Sequence, residues 1–391
     1  MPNMPSVLEC GIDVLLADAN SLLRNKRIGL VTNDVALTKH NIPIRLALQQ
    51  QGFQIVKLFS PEHGIAAKGE DGAFQQHGID EVTALPIVSL YSEKLMPNET
   101  DLLDVDAVVY DIPDVGCRFY TYLWTLTYVM EACMQFGKLL VVLDRPNPIG
   151  GDLSKAEGPM LDETHCSSFI GRWRLPIRHS CTTGELAMYF AALKLPALAL
   201  EVIKCKGCNR RLTMEEANRP FVPTSPAIRT LETAMLYPGT CFWEGINVNE
   251  GRGTPFPFVQ MGAPWINAVA LCVALRSKNI AGIHFEPARF IPLSNRYAAL
   301  ECEGIRCSIS DNNSFRPVHS GIVLLQTLAT LYPEQIAEAT YPTRANPSGG
   351  GHLDRLLGLP NSFEKIIKMD PLDTAVPLWK EEIAPYLLYP A

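Results

Sequence analysis

The sequence predicts an α/β protein, a parallel sheet covered by helices and followed by a smaller α+β unit. Two observations carry this. In the first half, four apolar runs end in polar, Gly or Pro residues, each followed by a helix-length segment, the alternation of a parallel sheet. From about Pro220 the rhythm stops, and Pro223, Pro226, Pro238, Pro255, Pro257 and Pro264 punctuate a stretch of little periodicity. The expected division is therefore 1–220 for the sheet domain and 221–391 for the second.

Taken in order, Gly11 to Leu23 predicts a helix, with Ile12, Leu15, Leu16, Ala19 and Leu22 on one face. Arg27 to Asn33 reads as a buried strand ending in polar residues. Ile42 to Gln51 reads as a helix stopped by Gly52. Gln54 to Phe59 is a strand, Leu85 to Tyr91 another, and Pro97 to Leu103 is helical in part. Asp106 to Tyr110 is a strand delivering Asp111, Asp114 and Gly116, and Tyr120 to Phe136 is a long helix stopped by Gly137. Leu139 to Leu143 is purely aliphatic, as strands covered on both faces are. A loop from Gly150 to Phe169 leads to a helix opened by Thr182 or Thr183, and Leu198 to Cys205 closes the unit as a strand. Beyond it, Ile266 to Arg276, Gly321 to Leu331 and Leu353 to Leu357 read as helices, and Cys302 to Ser310 as a strand.

The net charge of −7 over 391 residues argues against a general nucleic-acid or anionic-membrane binder, which needs a basic surface. Eleven cysteines, odd in number and irregular in spacing, make no disulfide framework and favour a reducing compartment. Cys205-Lys206-Gly207-Cys208 has metal-ligand spacing but no second pair, and reads as a turn with two thiols. Met1 to Leu8 shows neither a basic start nor an apolar core, so a cytoplasmic protein is favoured; a chain trimmed of a leader would look the same. No apolar run reaches transmembrane length, and stable membrane insertion is not expected.

The chemistry concentrates at strand ends. Ser60-Pro61-Glu62-His63-Gly64 follows a strand with a proline that cannot extend a central ladder and a glycine that permits a tight turn. In open α/β sheets ligands sit beyond the strand carboxyl ends, so Glu62 reads as a working acid; the plain alternative is a turn whose Glu and His face water. Asp111, Asp114 and Arg118, then Asp144 and Arg145, then Arg178, His179 and Glu185 would converge on the same edge. Glu185 also has a structural reading, as a carboxylate in the first turn of a helix. Neither a Gly-x-Gly-x-x-Gly nor a P-loop pattern is present, and no Gly-x-Ser-x-Gly elbow, so no nucleotide cofactor and no serine hydrolase is expected. What remains is carboxylate chemistry with arginines nearby. Glycoside cleavage needs a proton donor of raised pKa, and Arg118, Arg145, Arg178 and Arg252 are candidates to clamp a substrate carboxylate. Glu244, Glu250 and Arg252 lie in a Gly-rich loop that reads as a hinge or a lid. Tyr120, Tyr122, Trp124 and Trp243 could form a sugar-stacking face.

Phe59 to Gly64, Asp111 to Thr121 (DIPDVGCRFYT), Val142 to Gly151 (VLDRPNPIGG), Glu157-Gly158-Pro159, Thr183 to Ala187 and Tyr237 to Thr254 (YPGTCFWEGINVNEGRGT) together resemble the family once labelled DUF1343, which includes the exo-β-N-acetylmuramidases of the NamZ type. The resemblance implies a Rossmann-like N-terminal domain with the active site and a C-terminal domain completing the cleft. It implies a cofactor-independent hydrolase that removes non-reducing-end N-acetylmuramic acid from β-1,4-linked peptidoglycan fragments. Glu62 is then the general acid/base. Its partner is Glu185, or the substrate's own acetamido group oriented by Asp111 or Glu185. His63, Asp111, Arg118, Tyr120, Arg145, Asn147, Arg178, His179, Glu244, Glu250 and Arg252 become candidate substrate contacts. The sequence departs from the family pattern at Pro113, where Gln is usual, at Ser180, where Gly is usual, and at Ala227-Ile228-Arg229, where an Asn is lost. Two other readings stand beside this one: a metal-dependent hydrolase using His63, Asp111, Asp114 and His179, and a non-catalytic binder of cell-wall sugars.

Overall fold

The computed structural model describes residues 8–18, 22–214, 217 and 219–391. Its first part comprises α1 (Gly11–Ala17), β1 (Ile28–Val31), α2 (Ile44–Gln50), β2 (Ile55–Ser60), β3 (Gly78–Ile79), β4 (Pro86–Ser89), α3 (Glu99–Leu102), β5 (Ala107–Tyr110), α4 (Thr121–Gln135), β6 (Leu139–Leu143), α5 (Glu163–Cys166), α6 (Thr183–Lys194) and β7 (Leu200–Ile203). The first helix is shorter than expected, and Ala19 lies outside the described residues.

The seven strands form one sheet in the order β3-β4-β2-β1-β5-β6-β7. All neighbours are parallel except the two-residue edge strand β3. β1 and β5 are buried at every position, because helices cover both faces and the aliphatic runs lose water on both sides. From β1 the sheet grows one way through β2 and the other way through β5, which makes it doubly wound.

The second part holds α7 (Leu231–Thr240), β8 (Gln260–Ala263), α8 (Ala268–Ser277), β9 (Ile283–Phe290), β10 (Cys302–Ile309), α9 (Pro317–Leu331), α10 (His352–Leu357), α11 (Ser362–Ile367) and α12 (Trp379–Ile383). β8, β10 and β9 make an antiparallel sheet, β10 at its centre. α7 passes through Pro238, a residue that reads as a breaker in the sequence. It packs so closely on α9 that a Cβ on Gly239 would lie 1.9 Å from the Pro317 carbonyl oxygen. The end of the chain returns to the first sheet. Trp379 Nε1 donates to His179 O at 2.9 Å, and the Tyr389 hydroxyl donates to Asp144 Oδ2 at 2.6 Å. No described helix is long and apolar enough to cross a membrane.

Candidate active site

β2 ends at Ser60, and the chain turns at once, Gly64 N donating to Pro61 O at 3.1 Å. His63 and Gly64 both take left-handed backbone angles, φ 64° and 70°. Glycine adopts this freely, whereas His63 stores strain of the kind that collects at functional sites. The imidazole is clasped by the loop that follows. Its Nδ1 lies 2.8 Å from Gly69 O, an acceptor only, so Nδ1 carries the proton, and Gly69 N donates back to His63 O at 3.0 Å. The clasp brings Asp71 and Gly72 round to Glu62.

Glu62 is 4 % exposed. Gly72 N donates to Oε1 at 2.8 Å, and the Thr121 hydroxyl, at the first position of α4, donates to Oε2 at 2.5 Å. His63 Nε2 lies 4.0 Å from Oε2. Burial pushes the Glu62 carboxyl above its ordinary range; the Asp71 charge adds to this, while His63, Thr121 and Gly72 oppose it. Asp71 goes the other way. Burial acts on it too, but Arg252, His63, the Tyr341 hydroxyl and His352 outweigh that and hold it below the usual carboxylate range. Tyr341 donates to Asp71 Oδ2 at 2.5 Å, and Arg252 NH2 lies 3.4 Å from the same oxygen. Glu62, His63 and Asp71 thus present one heteroatom each, all within 4.8 Å of one another. Two neighbouring carboxyl groups displaced in opposite directions divide the roles of acid and anion.

These groups line a cavity of about 210 Å³ between the two parts of the chain. Tyr91, Tyr120 and Phe169 from the first part and Tyr237, Phe258, Glu244 and Tyr341 from the second complete much of its wall. Past Asp71, Arg252 and Tyr341 it opens into a larger groove of about 950 Å³, bordered by Glu250, Arg229 and Arg296.

The other sequence candidates separate into those at the cavity and those away from it. Tyr120 lines it, its hydroxyl donating to Thr224 Oγ1 at 2.8 Å. Glu244 lines it and accepts from Arg252 at 2.8 Å, with His352 Nε2 at 3.2 Å. Glu250 borders the groove, its carboxyl pushed up to about 7 by burial despite Arg252 at 3.2 Å.

Several expectations are corrected. Glu185 is not at the cavity. It is fully buried, forms a capping box with Thr182 and an ion pair with Arg210 at 2.5 Å, and accepts from Leu388 N, so its structural reading holds. Asp111 is spent on a two-point pair with Arg145, removing both from the substrate-binding set. Arg118 is a strut with no exposure, donating to the carbonyls of Pro159, Leu175 and Leu356. Arg178 donates to Ile149 O, and Asn147 donates to Cys181 O. His179 is fully buried, Nε2 3.5 Å from Asp114, so His63, Asp111, Asp114 and His179 do not converge on a metal. Trp124 and Trp243 are core, and Tyr122 is buried with its hydroxyl on Thr224 O. Ser180, where the family has Gly, has φ 54° and a buried hydroxyl without a partner among the described residues.

Asp71, Thr121, Tyr341, His352 and Arg355 were missed. Asp71 lies in a Gly- and Gln-rich loop that reads as a connector, Tyr341 and His352 lie outside any predicted element, and Arg355 falls in the predicted helix Leu353 to Leu357 with nothing local to mark it. An acid between glycines just after the Glu62 turn was the one available signal.

A buried acid pushed above its ordinary range beside one held below it, in an aromatic-walled cavity open to a groove, is an arrangement suited to one class, the glycoside hydrolases. Comparison with known proteins gives the family. Residues 28–232 match the family model described as exo-β-N-acetylmuramidase NamZ, N-terminal, and residues 235–389 match its C-terminal counterpart. The chain belongs to the NamZ exo-β-N-acetylmuramidase family. It is 36 % identical over 361 residues to the peptidoglycan β-N-acetylmuramidase NamZ of Bacillus subtilis (strain 168), covering 92 % of this chain and 86 % of that one. Two crystal structures of DUF1343 family proteins from Bacteroides fragilis NCTC 9343 share its fold. One has TM-score 0.84 and 28 % identity, the other 0.72 and 26 %, each alignment covering 98 % of this chain and 99 % of that one.

Proposed function

We propose that the chain is an exo-acting glycoside hydrolase that releases non-reducing-end N-acetylmuramic acid from β-1,4-linked peptidoglycan fragments, with Glu62 as general acid/base and Asp71 as the ionised partner. The observation that carries the catalytic part is the opposite displacement of these two carboxyl groups across His63. Family membership carries the substrate class. The layout fits terminal action: one sugar residue fills the smaller cavity, and the remaining saccharide leaves along the groove past Arg252.

In the first step Glu62 gives its proton to the glycosidic oxygen, the bond from that oxygen to the sugar carbon breaks, and the shortened saccharide departs with a free hydroxyl. The positive charge left on the sugar is met by the substrate's acetamido oxygen, which Asp71 orients. Water then attacks as Glu62 takes back a proton. Inverting enzymes separate their carboxyl groups by roughly 6.5–9.5 Å to admit a water. Glu62 and Asp71 are not such a water-flanking pair in this route: the acetamido oxygen makes the first displacement and water the second, so the configuration is retained.

The same three residues have the atom types of a divalent-ion site, but the donor set favours proton transfer. Both Glu62 oxygens already accept hydrogen bonds, and the Arg252 guanidinium stands beside Asp71. The test is release of N-acetylmuramic acid from a peptide-free disaccharide, followed by chromatography, with and without a chelator. Turnover by wild type and none by Glu62→Gln supports the assignment. Loss to chelator with recovery on adding metal overturns it in favour of a metal enzyme, and binding without release would make the chain a sugar binder.

A further inference from the structure

Four basic side chains line the catalytic cavity: His63, Arg252, His352 and Arg355. Three are already engaged. Arg252 lies within ion-pair distance of Asp71, Glu244 and Glu250. His352 Nε2 is 3.2 Å from Glu244, and His63 is clasped on Gly69 with Nε2 toward Glu62. Arg355 differs. It sits on α10, three residues after His352 and so on the same helix face. NH1 donates to Gly350 O at 2.6 Å, and among the described residues no carboxylate forms an ion pair with it. A guanidinium has five N–H donors. The carbonyl anchor holds the side chain in place and leaves its charge uncompensated, with donors to spare.

A half-buried cation without a counter-charge on the wall of a binding cavity is suited to an anionic group on the ligand. N-acetylmuramic acid differs from N-acetylglucosamine by a lactyl ether on the ring, whose terminus is a carboxylate. We infer that Arg355 is the specificity-determining residue that reads this carboxylate, and with it separates muramic acid from glucosamine glycosides. The inference rests on the muramidase reading above. It replaces Arg118, Arg145 and Arg178, which are committed to the protein's own carbonyls or to Asp111, and Arg252, which is saturated with carboxylates.

The test compares chromogenic β-N-acetylmuraminide and β-N-acetylglucosaminide on wild type, Arg355→Met and Arg355→Lys, with thermal melts to establish that each variant is folded. In Arg355→Met the ratio of kcat/KM for the muraminide over the glucosaminide should fall by about 10- to 100-fold, mainly through KM, since one charged hydrogen-bonding group is lost. Arg355→Lys should keep part of the ratio, because it retains the charge but not the fork. A muraminide whose lactyl carboxylate is capped as a methylamide should show wild type little advantage over Arg355→Met. Equal losses on both glycosides, or an unchanged ratio, would overturn the role of Arg355 while leaving the muramidase activity standing. If wild type cleaves neither glycoside, the activity itself fails, and calorimetry with free N-acetylmuramic acid decides the rest. Tighter binding than N-acetylglucosamine, abolished in Arg355→Met, supports the carboxylate reader; equal binding by the two proteins overturns it.

Discussion

Replacing Glu62 by Gln separates chemistry from architecture, because the amide can satisfy the same neighbours. Its oxygen accepts from Gly72 N as Oε1 now does, and its NH2 donates to the Thr121 hydroxyl, which rotates to accept. No buried polar atom is stranded, so the usual penalty of roughly 1–3 kcal/mol for an unmet group is absent. The sign of the stability effect follows from burial. The native Glu62 carboxyl holds its proton above the ordinary range, so its contribution to stability falls as the pH rises from the unfolded pKa to the native one and stays lost above it. The Gln variant should therefore melt no lower than wild type at pH 5 and higher at pH 8. Catalysis should respond very differently. General acid assistance contributes about 10²–10⁴-fold, or about 2.7–5.4 kcal/mol of barrier. That loss should appear in full on a natural disaccharide, whose leaving hydroxyl needs the proton. On a dinitrophenyl glycoside, whose leaving group departs as an anion, the loss in kcat/KM, which reports only the first step, should be under about 10-fold. Turnover of the disaccharide within threefold of wild type would refute the assignment. Equal losses on both substrates would show that Glu62 shapes the cavity instead of donating a proton.

Asp71→Asn removes the charge that helps raise Glu62, so the basic limb of the kcat/KM profile should move to lower pH, with kcat down by about 10²-fold; an unmoved limb would exclude coupling between the two. Burial pushes Glu157 and Glu250 up to about 7 and Asp144 up to about 6. The unfolded chain releases these protons near pH 4 and the native one near 6–7, so urea-unfolding stability should fall by a few kcal/mol from pH 5 to pH 8; a rise over that window would contradict the burial of these groups. Ser180→Gly relieves a left-handed non-glycine backbone and deletes a buried, unpartnered hydroxyl, and should stabilise the protein by about 1 kcal/mol in the same unfolding assay.

The sheet was legible because its code is local. Leu139 to Leu143 must be covered on both faces, and Gly52 or Gly137 can stop a helix, without reference to anything distant. α7 was illegible for the opposite reason: Pro238 argues against a helix locally, and what holds it is its approach to α9 through Gly239 and Gly321, eighty-two residues apart in the chain. The return of Tyr389 to Asp144 is a contact of the same kind.

The site divides along the same line, and the division explains which charges were misjudged. Residue type and turn chemistry are enough to mark Glu62 and His63 as unusual, since Pro61 and Gly64 lie beside them. Whether an arginine is free to meet a substrate is a different question, because it depends on partners that come from anywhere. Arg145 and Arg355 look alike in the sequence. One meets Asp111, thirty-four residues away; the other, among the described residues, meets only a carbonyl five residues away. Charge that is compensated within the fold is unavailable to a ligand, so the cations that matter are those the fold leaves unneutralised. By that criterion the arginine-rich motifs supply the frame, while recognition falls to a residue in a stretch with no motif at all.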